Sequence, residues 1–106
     1  MMKTLQLESK ETNGLAVVFL DGYLNERGGE LLEHECQELL RRGLRRLQLD
    51  FAGAAMVNSV GISHLLDIIE FAQREELDLR FCRVPEHIVE LFDLLGISSK
   101  VRVEHL

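Results

Sequence analysis

The chain has 106 residues, 46% of them hydrophobic and 28% charged, and a formal net charge of −6 at neutral pH. That length supports one hydrophobic core without staples, and the composition is ordinary for a globular domain. The acidic balance argues against a nucleic-acid or anionic-membrane surface, which draws on clustered Lys and Arg. No apolar run approaches the roughly 20 residues of a membrane span, and the N-terminus lacks a secretory apolar stretch. A cytoplasmic protein is expected, with Cys36 and Cys82 as thiols. Neither cysteine has a second Cys or a His at metal-ligand spacing. There are no repeats, low-complexity runs or linkers, so residues 1–106 read as a single domain.

Residues 4–8 alternate apolar and polar, the period of a short strand. Glu11-Thr12-Asn13-Gly14 then reads as a turn, and Asn-Gly between two apolar runs is a strong hairpin signal. The run at 15–20 is continuously apolar and predicts a strand buried on both faces, antiparallel to the first. Gly28 and Gly29 predict a loose helix start, and without a following Gly-Lys-Ser/Thr they form no phosphate loop. Over 30–42, Leu32, Cys36, Leu39 and Leu40 share one helical face, with Gly43 as the stop. Glu30, His34 and Glu38 make an i, i+4, i+8 stripe on that helix. It reads as solvated charge, and no metal site is expected.

Residues 47–51 alternate again and predict a strand parallel to 15–20, with the helix as crossover. Ala52-Gly53-Ala54-Ala55 carries neither period. Asn58-Ser59 stands before Ile62, Leu65, Leu66, Ile69 and Ala72, an apolar series at helical spacing. Asn and Ser are preferred N-caps, so the hydroxyl of Ser59 is placed at a helix mouth, where unpaired N–H groups and the dipole solvate a phosphate well. A strand at 77–82, a turn at 83–85 and a helix from Pro85 follow, the helix having Ile88, Leu91, Phe92 and Leu95 on its apolar face. Gly96 ends that helix, and 101–103 is a last short strand. The order β-β-α-β-α-β-α-β predicts an α/β domain with a mixed, mostly parallel sheet and helices packed on it.

On the helix after Ser59, Val60, His64 and Phe71 fall on one line opposite the Ile62/Leu65/Ile69 stripe, so all three are expected to face outward. Two apolar residues in that line favour a partner surface. An enzyme would draw on Ser59 with His34, His64 or His87. A nucleophilic serine needs a positioned base, and no Gly-x-Ser-x-Gly elbow is present. No catalytic residue is assigned.

The order strand, Asp50, small segment, Asn58-Ser59-Val60-Gly61-Ile62, Leu-rich helix resembles the core signature of STAS domains, and more narrowly of bacterial anti-sigma factor antagonists. There the motif is Asp-Ser-(Ser/Thr)-Gly-Leu, and a partner kinase phosphorylates the first Ser. Ser59, Gly61 and Ile62 match by position, and Asn58 stands where the family has Asp. The junction Gly22-Tyr23-Leu24-Asn25 matches Gly-x-Leu-Asp, again with an amide at the acidic position. The stretch 81–97 resembles the family's closing strand–helix unit.

The resemblance implies a protein-binding switch that captures an anti-sigma factor with a serine-kinase activity and a histidine-kinase-like ATPase fold. Ser59 would be its phosphoacceptor. The implied partner surface comprises Asn25, Asn58, Ser59, Val60, Gly61, His64 and Phe71. ATP would be the kinase's ligand, so no cofactor is expected. The alternative within the resemblance is an accessory or scaffold subunit, transporter-associated or in a stress complex, that binds without a phosphoswitch.

Overall fold

An antiparallel hairpin opens the fold: β1 (Gln6–Thr12) and β2 (Leu15–Leu24) flank a turn at Asn13 and Gly14. Both turn residues are left-handed, with φ of 52° and 80°, as the twist-matched two-residue hairpin turn requires. The computed structural model describes residues 3–106. In chain order it continues with α1 (Glu26–Arg41), β3 (Arg46–Val57), α2 (Ser59–Arg74), β4 (Asp78–Val84), α3 (Glu86–Leu94), a 3₁₀ turn at Ile97–Ser99, and β5 (Arg102–His105). The five strands lie in the order β1-β2-β3-β4-β5, and every pair after the first is parallel. The expected α/β architecture is the one observed.

Each crossover steps one strand further in the same direction. Connections of one hand therefore set all three helices on one face of the sheet and leave the other open. The burial pattern of β2 follows: Ala16, Val18 and Leu20 are buried under the helices, whereas Leu15, Val17 and Phe19 are half-buried on the open face. The reading of 15–20 as buried on both faces is corrected accordingly. On the covered face, Phe51, Phe81 and Phe92 form a three-ring cluster with centroids 5.1 to 5.7 Å apart. Phe51 and Phe92 meet edge to face, at 83° between planes, a preferred arrangement for rings of this quadrupole.

Other boundaries move for physical reasons. The first strand is later than residues 4–8, because the turn pairs Thr12 directly with Leu15; Thr4 keeps a single parallel bridge to Tyr23. The small segment 52–55 is strand, since β2 continues to Leu24 and its backbone pairs β3 as far as Val57, through register shifts. On α2, Ile68 rather than Leu66 completes the buried stripe, and Leu66 is exposed. Leu95 is likewise exposed, at the C-cap of α3.

Both cysteines are buried thiols. Burial above all, then the neighbouring Glu35 and Glu33, pushes the Cys36 thiol up to about 12. Burial and then a hydrogen bond to Glu104 push Cys82 up to about 12. Both therefore stay protonated and unreactive near neutral pH.

Candidate functional site

The C-terminal ends of β2 and β3 deliver two helix N-termini to the same edge of the molecule. Asn25 caps α1, its Oδ1 accepting from the backbone N–H of Gly28 at 3.0 Å. Asn58 caps α2 in the same way, accepting from Gly61 N–H at 2.8 Å. Each amide satisfies one donor that the first helical turn leaves without a partner. Between them lies an open hollow of about 620 Å³, lined by Asn25, Glu26, Arg27, Glu30, Asn58 and Val60.

Because Asn58 does the capping, the Ser59 hydroxyl is left outside the cap. Ser59 is the first residue of α2 and is exposed, and its carbonyl accepts a hydrogen bond from Ser63 Oγ at 3.2 Å. Val60 beside it is 40% exposed and Met56, at the end of β3, 44%. Ser59 therefore stands beside an exposed apolar side chain, Val60, at the positive end of a helix dipole.

Gly61 explains why α2 starts where it does. A Cβ there would lie 2.2 Å from the carbonyl oxygen of Leu24, at the end of β2. The same carbonyl accepts from Asn58 N–H at 3.1 Å. Only a residue without a side chain lets the first turn of α2 sit against that strand end.

His64 is placed differently from the outward reading given by helix periodicity. Its ring is only partly exposed, in the seam between α1 and α2, with Nδ1 2.7 Å from Glu33 Oε1. Packing against α1 covers the middle of the predicted outward line, because the seam runs along that side of α2. Val60 at one end is exposed and Phe71 at the other is half-buried, with the Arg74 guanidinium 5.7 Å from the ring centre. Gly28 and Gly29 do not loosen α1 either. Both are buried; a Cβ on Gly28 would meet the Leu5 side chain at 2.9 Å, and one on Gly29 the His64 ring at 2.2 Å.

The other candidate histidines are not gathered at Ser59. His34 is exposed on α1, and His87 Nε2 lies 3.0 Å from the Ala55 carbonyl oxygen. The Glu30/His34/Glu38 stripe is largely exposed, and Glu38 pairs with Arg41. Periodicity gave Asp50 no role, yet it is the one buried charged residue among those described, at 6% exposure on the open sheet face. Its carboxylate accepts from Ala52 N–H at 3.0 Å and from Arg83 Nε at 2.7 Å. An alternating strand pattern marks Asp50 as outward; only the fold shows Arg83 lying over it.

The family model of the STAS domain matches residues 6–105. The protein BtrV of Bordetella bronchiseptica, named as a proposed anti-sigma factor antagonist, is 25% identical over 95 residues, covering 90% of this chain and 82% of its own. The crystal structure of an anti-sigma factor antagonist from Mycobacterium paratuberculosis superposes with a TM-score of 0.78 at 16% identity, over 95% of this chain and 86% of that one. The Bacillus cell fate determinant SpoIIAA in its phosphorylated form gives a TM-score of 0.70 at 16% identity, over 94% and 90%. At such identities the two solved structures carry the fold. Among the described residues, no helix is long and apolar enough to cross a membrane.

Proposed function

This chain belongs to the STAS domain family, and from that premise we propose that it is a phosphorylation-controlled protein-binding switch of the anti-sigma factor antagonist kind. Its partner is an anti-sigma factor that is also a serine kinase of the histidine-kinase-like ATPase fold, and the phosphoacceptor is Ser59. One observation carries the reading: the Ser59 hydroxyl is exposed at the first position of α2 while Asn58 takes over the cap. A serine that capped the helix would be committed to its own backbone. This one is available to a kinase and, once modified, to the helix dipole.

The chemistry of the switch follows from charge. Phosphorylation adds about −1.5 to −2 and three acceptor oxygens. The α2 N-terminus solvates that charge in the isolated domain, so the fold tolerates it. A partner packed over Val60 and Met56 would instead have to desolvate it, which expels the partner. Arg27 on the rim of the hollow offers a cation, whereas Glu26 and Glu30 on the same rim oppose it.

Asn25, Asn58, Val60 and Gly61 form or support the docking surface. His64 acts through the α1–α2 seam rather than by direct contact, and Phe71 extends the surface along α2. The domain itself performs no catalysis in this reading. His64, five residues on from Ser59, is engaged with Glu33, and ATP belongs to the partner. The cytoplasm, where kinase and ATP are found, is the compartment the reading requires.

Incubation with the cognate kinase and ATP, followed by mass spectrometry, tests the proposal. Phosphate on Ser59, absent in Ser59→Ala, is the expected result. Phosphate elsewhere, or none, defeats the switch and leaves only a binding domain.

A further inference from the structure

A second set of chemically capable side chains lies outside the Ser59 surface, in the seam between α1 and α2. His64 Nδ1 and Glu33 Oε1 are 2.7 Å apart across that seam. Asp67 follows His64 by three residues, a spacing that puts both on one face of α2. One donor atom from each of Glu33, His64 and Asp67 lies within 4.8 Å of the other two. The trio is invisible along the chain because it joins two helices, whereas the Glu30/His34/Glu38 stripe lies along one.

We propose that Glu33, His64 and Asp67 form a binding site for a divalent transition-metal ion of the zinc type, which clamps α2 to α1. One imidazole nitrogen with two carboxylate oxygens is a donor set for zinc and its first-row neighbours; magnesium and calcium favour oxygen alone.

The imidazole is already seated. A Cβ on Gly29 would stand 2.2 Å from Cδ2 and 2.3 Å from Cγ of His64, so the ring rests directly on the α1 backbone at a position that only glycine permits. Among the described residues, neither Glu33 nor Asp67 is ion-paired to a lysine or arginine, so an arriving cation displaces no rival. Asp67 is exposed, which gives the ion a path from solvent and leaves a position for water.

Ligand bonds of about 2.0–2.2 Å place tetrahedral donor atoms ~3.4 Å apart. Glu33 and His64 are nearer than that and open slightly; the exposed Asp67 side chain closes in. Coordination through Nδ1 uses the neutral ring with its hydrogen on Nε2. The ion then takes the place of the hydrogen in the present Nδ1···Oε1 contact; that hydrogen leaves to solvent as a proton, while Nε2 carries the hydrogen of the neutral ring.

The test uses the full chain, stripped with a chelator and titrated with Zn²⁺ alone by calorimetry, then with Co²⁺ while its visible absorption is followed. One equivalent is expected to bind, with a rise in melting temperature. Asp67→Asn is expected to weaken binding at least tenfold, and Glu33→Gln to do the same. Asp67 is exposed, so that variant keeps the fold and decides the matter even if Glu33→Gln is destabilised. Control variants His34→Gln, His87→Gln and His105→Gln are expected to leave the affinity unchanged. Absence of saturable binding at millimolar metal overturns the proposal. So does an affinity that survives Asp67→Asn, or one that a control histidine abolishes.

Discussion

The two helices that meet at the hollow begin alike and serve different ends. Asn25 and Asn58 cap α1 and α2 with the same bond to the N–H three residues on, and a buried glycine stands at each recipient position, Gly28 and Gly61. The first helical residue differs. It is Glu26 in α1, a charge that suits the dipole, and Ser59 in α2, a neutral hydroxyl followed by exposed Val60. The cap is thus common machinery. What makes one terminus a candidate switch is the uncharged, modifiable residue just inside it, beside apolar surface.

The largest expected effect separates the two helices by how closely their glycines are packed. A Cβ on Gly61 meets a backbone oxygen at 2.2 Å, which cannot step aside without moving β2 or α2. Gly61→Ala should destabilise by ~3 kcal/mol, the upper range for overpacking, and lower Tm by roughly 10–20 °C. A Cβ on Gly28 meets Leu5 Cβ at 2.9 Å and the Tyr23 carbonyl oxygen at 3.1 Å, a milder overlap, so Gly28→Ala should cost less, ~2 kcal/mol. Thermal unfolding of both variants gives the comparison. Equal losses would mean that α2 is no more tightly docked than α1.

Next in size is the charge on the first residue. Ser59→Asp should weaken anti-sigma factor binding about a hundredfold, equivalent to ~2.7 kcal/mol, while Ser59→Ala binds as the parent does. Ser59→Asp should melt no lower than the parent and up to a few degrees higher, since an exposed carboxylate at a helix start is favourable by ~0.3–1 kcal/mol, so weaker binding is not a folding defect. Titration calorimetry against the partner checks the first statement. If the aspartate variant binds normally, charge at this terminus does not control docking.

Smaller again are the caps. Asn25→Ala and Asn58→Ala should each cost about 1 kcal/mol, or ~4–8 °C in Tm, as loss of a side-chain cap generally does. The matching loss is the point, because it would show capping to be equivalent at the two termini. Asn58→Asp should retain the cap and speed phosphorylation of Ser59, since a carboxylate helps orient the hydroxyl or hold the nucleotide's metal ion. Rates of phosphate incorporation with the cognate kinase test this, and a slower rate for Asn58→Asp would count against that role.

Much of this was legible in the chain, for reasons that differ by element. Asn13-Gly14 has local turn chemistry, so the hairpin was readable, and the strand–helix alternation carried the parallel sheet. Asn58 and Ser59 announced a helix start, but not which of them caps. Residues 52–55 were obscure because their strand character comes from pairing with β2, and a period-two pattern is lost among Ala and Gly. The open sheet face was missed because Leu15, Val17 and Phe19 are apolar whether or not a helix covers them. His64 was misplaced for the opposite reason: periodicity locates the core of one helix and says nothing of a neighbouring helix lying across its flank.

The smallest effect on binding concerns how far the surface beside Ser59 reaches. Phe71 lies twelve residues on from Ser59, roughly 18 Å along the helix axis at 1.5 Å per residue. It is half-buried, and Arg74 lies over its ring. A fully buried ring such as Phe81 should cost ~3–5 kcal/mol on truncation to alanine. Phe71 loses only part of that contact and a cation–π contribution of about 0.5–1 kcal/mol. Phe71→Ala should therefore lower stability by ~2 kcal/mol, less than Phe81→Ala, and leave the fold intact. Against the partner it should reduce affinity severalfold, less than Ser59→Asp, because the site of charge lies at the other end of α2. Calorimetric titration beside Val60→Ala reads both ends of the helix in one currency. An unchanged affinity for Phe71→Ala with a loss for Val60→Ala would confine the docking surface to the first turns of α2. A stability loss as large as that of Phe81→Ala would instead make Phe71 part of the core.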